Sequence, residues 1–216
     1  MSVIEKEGLW SLGEIQKLFK LKDKVKSRQT LFNAEERGEI PTSIRVSRGK
    51  TAVRMWSTQQ LPKIGERYGF LQKPKGQEVL CIYTAKGGVL KTTLAYSLGR
   101  ALALNGIKTI IIGLDIQCSV TEILLSRPEL SALEDYNDSE YYGLYQFLYG
   151  KVPFKKIIKS TDLPTLDIIP ELPDLNLLEK KLRLENRREY VFRDKILPKL
   201  KDYDVVIFDM AQAGIN

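Results

Sequence analysis

One segment constrains this chain more than any other. An apolar run at 78–84 leads into Ala85-Lys86-Gly87-Gly88-Val89-Leu90-Lys91-Thr92-Thr93, followed by an apolar-periodic stretch at 94–104 and a second apolar run at 109–114. Short continuous apolar runs read as buried strands, and the 3.6-residue period between them reads as a helix. Strand, glycine-rich turn, helix and strand make a βαβ unit, whose strands are parallel. The unit forces an α/β architecture. Its turn also has the chemistry of an anion site. Glycines let backbone approach a phosphate, and the helix N-terminus offers unpaired N–H groups. Lys91 can neutralise phosphate oxygens, and the Thr92 hydroxyl can reach Mg²⁺.

The strict P-loop expression asks for glycine at 85 and 90, where this chain has Ala85 and Leu90. What fits is the deviant Walker A form Lys-Gly-Gly-Val-x-Lys-Thr-Thr, with Lys86 as its extra lysine. It resembles the ParA/MinD/Soj family of dimeric ATPases, and the later elements follow in order. Gly113-Leu114-Asp115-Ile116-Gln117-Cys118-Ser119-Val120-Thr121 stands where the family has Asp-Leu-Asp-Pro-Gln-Gly-Asn-Ala-Thr. A Tyr142–Lys151 stretch is similar to the family's next helix, and Leu166-Asp167-Ile168-Ile169-Pro170 to its following strand. A long amphipathic helix is expected over 175–200. Tyr203-Asp204-Val205-Val206-Ile207-Phe208-Asp209 then reads as a strand ending in a Walker B acid.

The resemblance covers 77–216 and implies a P-loop NTPase-like, mainly parallel sheet holding ATP and Mg²⁺ between two protomers. It implies a catalytic set of Lys86, acting across the dimer interface, Lys91, and Asp115 on the attacking water. Gly87, Gly88, Val89, Leu90, Lys91, Thr92 and Thr93 would wrap the nucleotide, with Thr92 and Asp209 on the metal. The family further implies an ATP-dependent homodimer that binds DNA, a centromere-binding ParB-type partner, and a role in plasmid or chromosome partition.

The departures define a second reading. Leu90 replaces a glycine, Gly113 the first aspartate of the switch element, Ile116 its proline, and Ala211-Gln212 a Pro-Pro pair. A DNA-binding regulator or autorepressor with a degenerate, non-hydrolysing ATPase domain would also carry these changes. The chain ends at Asn216, soon after Asp209. The expectation is therefore an ATPase domain shortened at its C-terminal end, lacking the adenine-binding residues, with the P-loop strand or its neighbour left at an open sheet edge.

The net charge of +7 is unevenly placed. Residues 1–75 hold 16 Lys and Arg against 8 Asp and Glu, while the remainder holds 18 against 19. Such asymmetry fits a polyanion-binding module joined to a near-neutral one, or a merely solvated basic face. Ser11-Leu12-Gly13-Glu14 fits a capping box, and Leu12, Ile15, Leu18 and Phe19 share the helical face that follows. A second helix is expected at 27–37, with Leu31 and Ala34 inward and Arg28, Gln29 and Asn33 outward. A hairpin at 44–54 turns at Gly49 and displays Arg45, Arg48, Lys50 and Arg54, and a last helix starts near Pro62. Helix, helix, basic hairpin and helix form a winged helix-turn-helix layout, and 28–41 resembles the recognition helix of MerR-like DNA-binding domains. The seven polar and basic residues just named are its candidate DNA contacts. A small helical domain with solvated arginines is the alternative.

The expected division is therefore a winged helix-turn-helix domain at 1–72, a linker at 73–77 containing Pro74 and Gly76, and an ATPase domain at 78–216. Histidine is absent, which excludes a Ser-His-Asp or Cys-His nucleophile and any His-ligated metal. Cys81 and Cys118 are too few for a disulfide framework. With no apolar run long enough to span a bilayer, a cytoplasmic protein without a membrane partner is expected, and the resemblance implies association with the nucleoid.

Overall fold

A computed structural model describes residues 8–21, 28–49, 51–84, 90–117, 119–125, 142–150 and 152–211. It divides into two compact units. One runs to Lys73 and adds Leu102–Ile107 and Leu163–Thr165, and the other comprises Pro74–Ala101, Lys108–Asp162 and Leu166–Asn216.

In the first unit, β1 (Leu9–Ser11) runs straight into α1 (Leu12–Leu18). The junction is the capping box: the Ser11 N–H donates to Glu14 Oε2 at 2.7 Å, and the Glu14 N–H donates to Ser11 Oγ at 3.5 Å. Helix α2 spans Arg28–Glu36 and stops as the chain turns left-handed at Gly38, with φ of +68°. Strands β2 (Ile44–Arg48) and β3 (Thr51–Ser57) form the hairpin, with Arg45 opposite Arg54. Strand β1 pairs antiparallel with the far side of β3, giving the order β1-β3-β2. Three residues of Leu-Trp-Ser show no period, so β1 was not legible as a strand. Helix α3 (Leu61–Tyr68) carries Pro62 in its first turn, where its missing N–H costs nothing. The core gathers Ile15, Phe19, Leu31, Ala34, Trp56, Leu61 and Ile64. Trp56 is buried there with its Nε1–H donating to the Pro41 carbonyl at 2.9 Å.

The second unit is a five-stranded sheet in the order β4-β8-β5-β7-β6. Its strands are β4 (Glu78–Ile82), β5 (Thr109–Leu114), β6 (Lys159–Ser160), β7 (Leu166–Ile169) and β8 (Val205–Met210). All pairings are parallel except β6 with β7. Ile110, Ile112, Ile169, Val206 and Phe208 enter one core cluster with α6 (Leu144–Tyr149) and α7 (Leu175–Leu184). On the alternate positions, Ile111 meets α4 (Lys91–Leu104) at Gly99, where a Cβ would lie 2.6 Å from Ile111 Cδ1. Gly99 thus lets helix and sheet approach closely. A sheet covered on both faces explains why its central strands read as continuous apolar runs rather than alternating ones.

Two expectations are corrected. The helix expected over 175–200 ends at Leu184, because Glu185 is extended and Arg187 left-handed, with φ of +60°. Short 3-10 and π segments carry the chain on from Arg188 to Lys199, and Pro198 lies in the last of them. The polar run Glu185-Asn186-Arg187-Arg188-Glu189 has no apolar residue with which to hold a helix onto the core. The strand expected to be buried at 78–84 is β4, which lies at one end of the sheet order. Its Val79, Leu80 and Cys81 are exposed, in keeping with the open edge foreseen for the P-loop strand.

Candidate functional site

Parallel strands align their C-terminal ends, and in open α/β sheets ligands bind just beyond them. Here β8 lies between β4 and β5, and Asp209 stands level with Ile82 on one side and Gly113 on the other. Asp209 is fully buried, and neither carboxylate oxygen makes a hydrogen bond of normal geometry. Burial pushes its pKa up, and the charge of Asp115 adds to this. The neighbouring Thr92 hydroxyl and the Lys91 ammonium pull the other way without cancelling it.

Those neighbours come from the other elements of the βαβ unit. Lys91 and Thr92 are half-buried in the first turn of α4, whose leading amides have no intrahelical acceptor. Thr93 and Leu94 are exposed on the same turn, and the Leu94 N–H donates to the Leu90 carbonyl at 2.9 Å. Leu90 itself is 72% exposed and left-handed, with φ of +59°. An L side chain there costs about 1–2 kcal/mol, so the glycine missing from the sequence is missed in the backbone as well. Asp115 follows β5, half-exposed, and its Oδ1 accepts the Gln117 N–H at 3.1 Å. Lys86, Gly87, Gly88 and Val89 lie outside the described residues.

The structure thus brings Lys91, Thr92, Asp115 and Asp209 to one edge of the sheet. A buried carboxylate with no hydrogen bond of normal geometry among the described residues, beside a hydroxyl and an ammonium, is an arrangement a divalent cation would complete. Among the described residues, no three Asp, Glu or Cys side chains converge closely enough to hold a metal by themselves. The donor set therefore suits Mg²⁺ that brings oxygen ligands of its own, as a nucleotide complex does.

Sequence reasoning missed Glu171. It follows Pro170 at the end of β7 and is 2% exposed. Its Oε2 accepts the Thr121 hydroxyl at 2.8 Å and the Thr121 N–H at 3.2 Å, and the Asp115 N–H donates to the same carboxylate. Its own N–H donates to Thr121 Oγ1 at 2.9 Å. Burial first, and then the charge of Asp209, push its pKa up to about 7 against these hydrogen bonds. The signal available in the sequence was indirect: an acid is missing at 113, and an acid sits between two prolines after the next strand.

In the first unit, Gln29 and Asn33 lie exposed on α2, the Gln29 Nε2 donating to Asn33 Oδ1 at 2.9 Å. Arg45 is exposed on β2. Arg28 opens α2 and Arg48 closes β2, their side chains outside the described set, as is Lys50. Arg54 is differently engaged. Its guanidinium bonds Glu35 Oε2 at 2.8 Å and lies 4.1 Å from the centre of the Phe32 ring. Glu35 also accepts the Ser43 N–H and hydroxyl, each at 2.6 Å.

Comparison with known proteins bears on both units. The chain is 30% identical over 131 residues to the chromosome partitioning protein ParA of Myxococcus xanthus, covering 61% of this chain and 43% of that protein. It is 38% identical over 120 residues to ParA of Caulobacter vibrioides, covering 55% and 41%. The chain thus spans less than half the length of these relatives. An alignment with protein SopA of Escherichia coli K12, 27% identical, takes in 94% of this chain and 53% of that one. Among solved structures, cobyrinic acid a,c-diamide synthase of Mycobacterium smegmatis, crystallised with an ATP analogue and magnesium, superposes with a TM-score of 0.54. It is 29% identical and covers 63% of this chain and 52% of its own. A plasmid partition protein of Borrelia burgdorferi bound to AMPPNP has the same fold, with a TM-score of 0.53 at 23% identity over 64% of this chain and 55% of its own. The α/β, mostly parallel sheet is therefore of the P-loop NTPase type. Residues 77–213, well over half of the chain, match the AAA_31 model of an AAA domain, and the chain belongs to that family.

Proposed function

We propose that the chain is a ParA-type ATPase acting in DNA partition, binding ATP with Mg²⁺ in the second unit and DNA through the first. The observation that carries the nucleotide half is Asp209, a fully buried carboxylate that makes no hydrogen bond of normal geometry among the described residues, with Thr92 and Lys91 beside it. Mg²⁺ at Thr92 and Asp209 would supply charge neutralisation for the phosphates. Lys91 and the first-turn amides of α4 hold those phosphates, while Asp115 orients the attacking water. Gly87, Gly88, Val89, Leu90 and Thr93 wrap the rest, and Lys86 reaches the nucleotide of a second protomer. Catalysis is then positioning plus electrostatic stabilisation. By analogy with the ParA proteins it matches, the chain acts as an ATP-dependent homodimer in the cytoplasm, on the nucleoid, with a ParB-type partner.

For the first unit, a winged helix-turn-helix reading is supported by the succession of α1, α2, the β2–β3 hairpin and α3, and by the exposed Gln29, Asn33 and Arg45. Arg28, Arg48 and Lys50 are its further proposed contacts, and Arg54 bonds Glu35 of α2 from the hairpin. The SopA alignment, which runs through this unit, supports treating both units as one inherited arrangement.

The test is ATP hydrolysis by the full chain, with and without duplex DNA, beside Lys86→Ala and Lys91→Ala. Turnover at least about 100-fold above Lys91→Ala is expected; turnover no higher than in the variants sinks the enzyme reading. Duplex binding should weaken steeply between about 50 and 200 mM salt, with Arg48→Ala weakening all sequences and Asn33→Ala relaxing preference at particular positions. One observation favours the second reading, a DNA-binding regulator that does not hydrolyse: Leu90 holds a left-handed position in the phosphate loop.

A further inference from the structure

Gly113 and Glu171 fit each other. A Cβ built on Gly113 would fall 2.5 Å from both Cγ and Cδ of Glu171 and 2.7 Å from its Oε1. The space beside Asp209 that a side chain from β5 would occupy is therefore filled by a carboxylate arriving from the end of β7. That carboxylate has little freedom to move aside. Pro170 and Pro173 bracket Glu171 and Leu172, fixing φ at both ends of this short segment and biasing Ile169 and Leu172 toward extended backbone. The side chain is buried and bonded to Thr121 at two atoms.

Its partners matter more than its charge. The Asp115 amide directly follows β5, and the Thr121 amide and hydroxyl lie in the first turn of α5 (Ser119–Leu124). One carboxylate thus ties Asp115 and the first turn of α5 to the end of β7. We propose that Glu171 is a positioning residue of the nucleotide site, one that occupies the volume left by Gly113 and holds Asp115 and Thr121 in place so that Asp115 faces the phosphate end. The inference rests on the ATPase reading for its catalytic consequence, whereas the Gly113–Glu171 fit stands apart from it.

Two measurements on the full chain test it. The first is a thermal-unfolding cycle of Gly113→Ala, Glu171→Ala and the double variant. In the wild-type background Gly113→Ala should lower Tm by roughly 5 °C, because the new Cβ displaces a bonded, buried side chain. In the Glu171→Ala background it should lower Tm by no more than about 1 °C. Equal losses in both backgrounds would overturn the fit. The second is ATP turnover with binding measured separately. Glu171→Ala should lose about tenfold or more in kcat while ATP affinity stays within about threefold, since a displaced group costs rate more than binding. Glu171→Gln keeps an acceptor oxygen for the Asp115 and Thr121 donors and should recover most of that rate. Wild-type kcat in Glu171→Ala, or a Glu171→Gln rate as low as that of Glu171→Ala, overturns the positioning role. Should the wild type itself fail to turn over ATP, the ATPase reading and with it the catalytic role are overturned, while the Tm cycle still decides the Gly113–Glu171 fit.

Discussion

Each unit encloses a glutamate, half-buried in the first and buried in the second, and the two are treated in opposite ways. Glu35 of the first unit meets a guanidinium and two donors from Ser43. Burial raises its pKa, but the Ser43 hydrogen bonds and the Arg54 charge together carry it below the usual carboxylate value. Glu171 of the second unit accepts from the neutral Thr121 and lies within the field of Asp209, and its pKa is pushed up to about 7. Asp209 is raised as well, by its burial and by the charge of Asp115. An acid that serves the fold is given its counter-charge by the fold. At the sheet edge Lys91 offsets only part of the burial of Asp209, which is what the proposed site for a metal-bearing ligand would require and an internal ion pair would not.

The sharpest way to break this contrast is to remove charge without removing shape. Asp209→Asn should leave the free protein slightly more stable, by roughly 1 kcal/mol, because a buried, unpaired charge is gone. It should also lose about 100-fold or more in ATP turnover. Thermal unfolding and a phosphate-release assay read the two effects. A less stable Asp209→Asn would mean that the carboxylate is compensated after all.

Next in size is the pH response without nucleotide. Glu171 binds its proton more tightly folded than unfolded, so the native state holds more protons between about pH 4.5 and 7. Stability must fall as pH rises through that window, by up to roughly 3 kcal/mol at about 1.4 kcal/mol per pKa unit, and level off above it. Glu35 works in the reverse sense. Its contribution is full above its ordinary pKa of 4.5 and is lost as pH falls through its lowered folded value. Urea unfolding from pH 4 to 8 should show the neutral-side slope in wild type, and Glu171→Gln should flatten it. A slope unchanged in that variant would assign it elsewhere.

Glu35→Ala should cost about 2 kcal/mol, since it strands a partly buried guanidinium and two Ser43 donors. Arg54→Met should cost less, because the apolar stem still covers Phe32 and the Ser43 donors keep their acceptor. Chemical denaturation reads both. An equal loss in the two variants would point to the Arg54–Phe32 stacking, and not the carboxylate, as the main support of the hairpin.

What the sequence disclosed follows from which forces are local. The capping box at Ser11, the Pro62 start and the βαβ unit depend on neighbours a few residues away, and each stands where the residues placed it. That Lys91, Thr92, Asp115 and Asp209 come together was legible because the C-terminal ends of parallel strands collect the residues that follow them. Glu171 was not, since its role depends on Gly113, far away in sequence and itself conspicuous only as an absent side chain. Likewise Arg54 reads as one more surface charge until Glu35 is found 2.8 Å away, across 19 residues of chain. The break after Leu184 was hidden for another reason, because the leucine spacing of α7 and the apolar residues after Tyr190 suggest one helix while the polar residues between them have nothing to pack against.

Backbone handedness offers a narrower comparison, between two glycine turns of the first unit and the residue that precedes α4. The first unit turns left-handed after α2 and within its hairpin on glycines, Gly38 and Gly49, whereas the phosphate loop does so on Leu90, with φ of +59°. Leu90→Gly removes a steric cost of about 1–2 kcal/mol and adds about 0.5–1 kcal/mol of unfolded-state entropy, leaving a net gain of roughly 0.5 kcal/mol. At 72% exposure the side chain gives up little burial, so the gain should survive as a Tm rise of about 1–2 °C. Leu90→Ala keeps the strained conformation and should change Tm by less than about 1 °C. If Leu90→Gly also raises ATP turnover, the leucine is a brake on a competent site. If stability rises while turnover stays at the level of Lys91→Ala, the loop has lost hydrolysis for reasons beyond this one side chain, and the regulator reading gains.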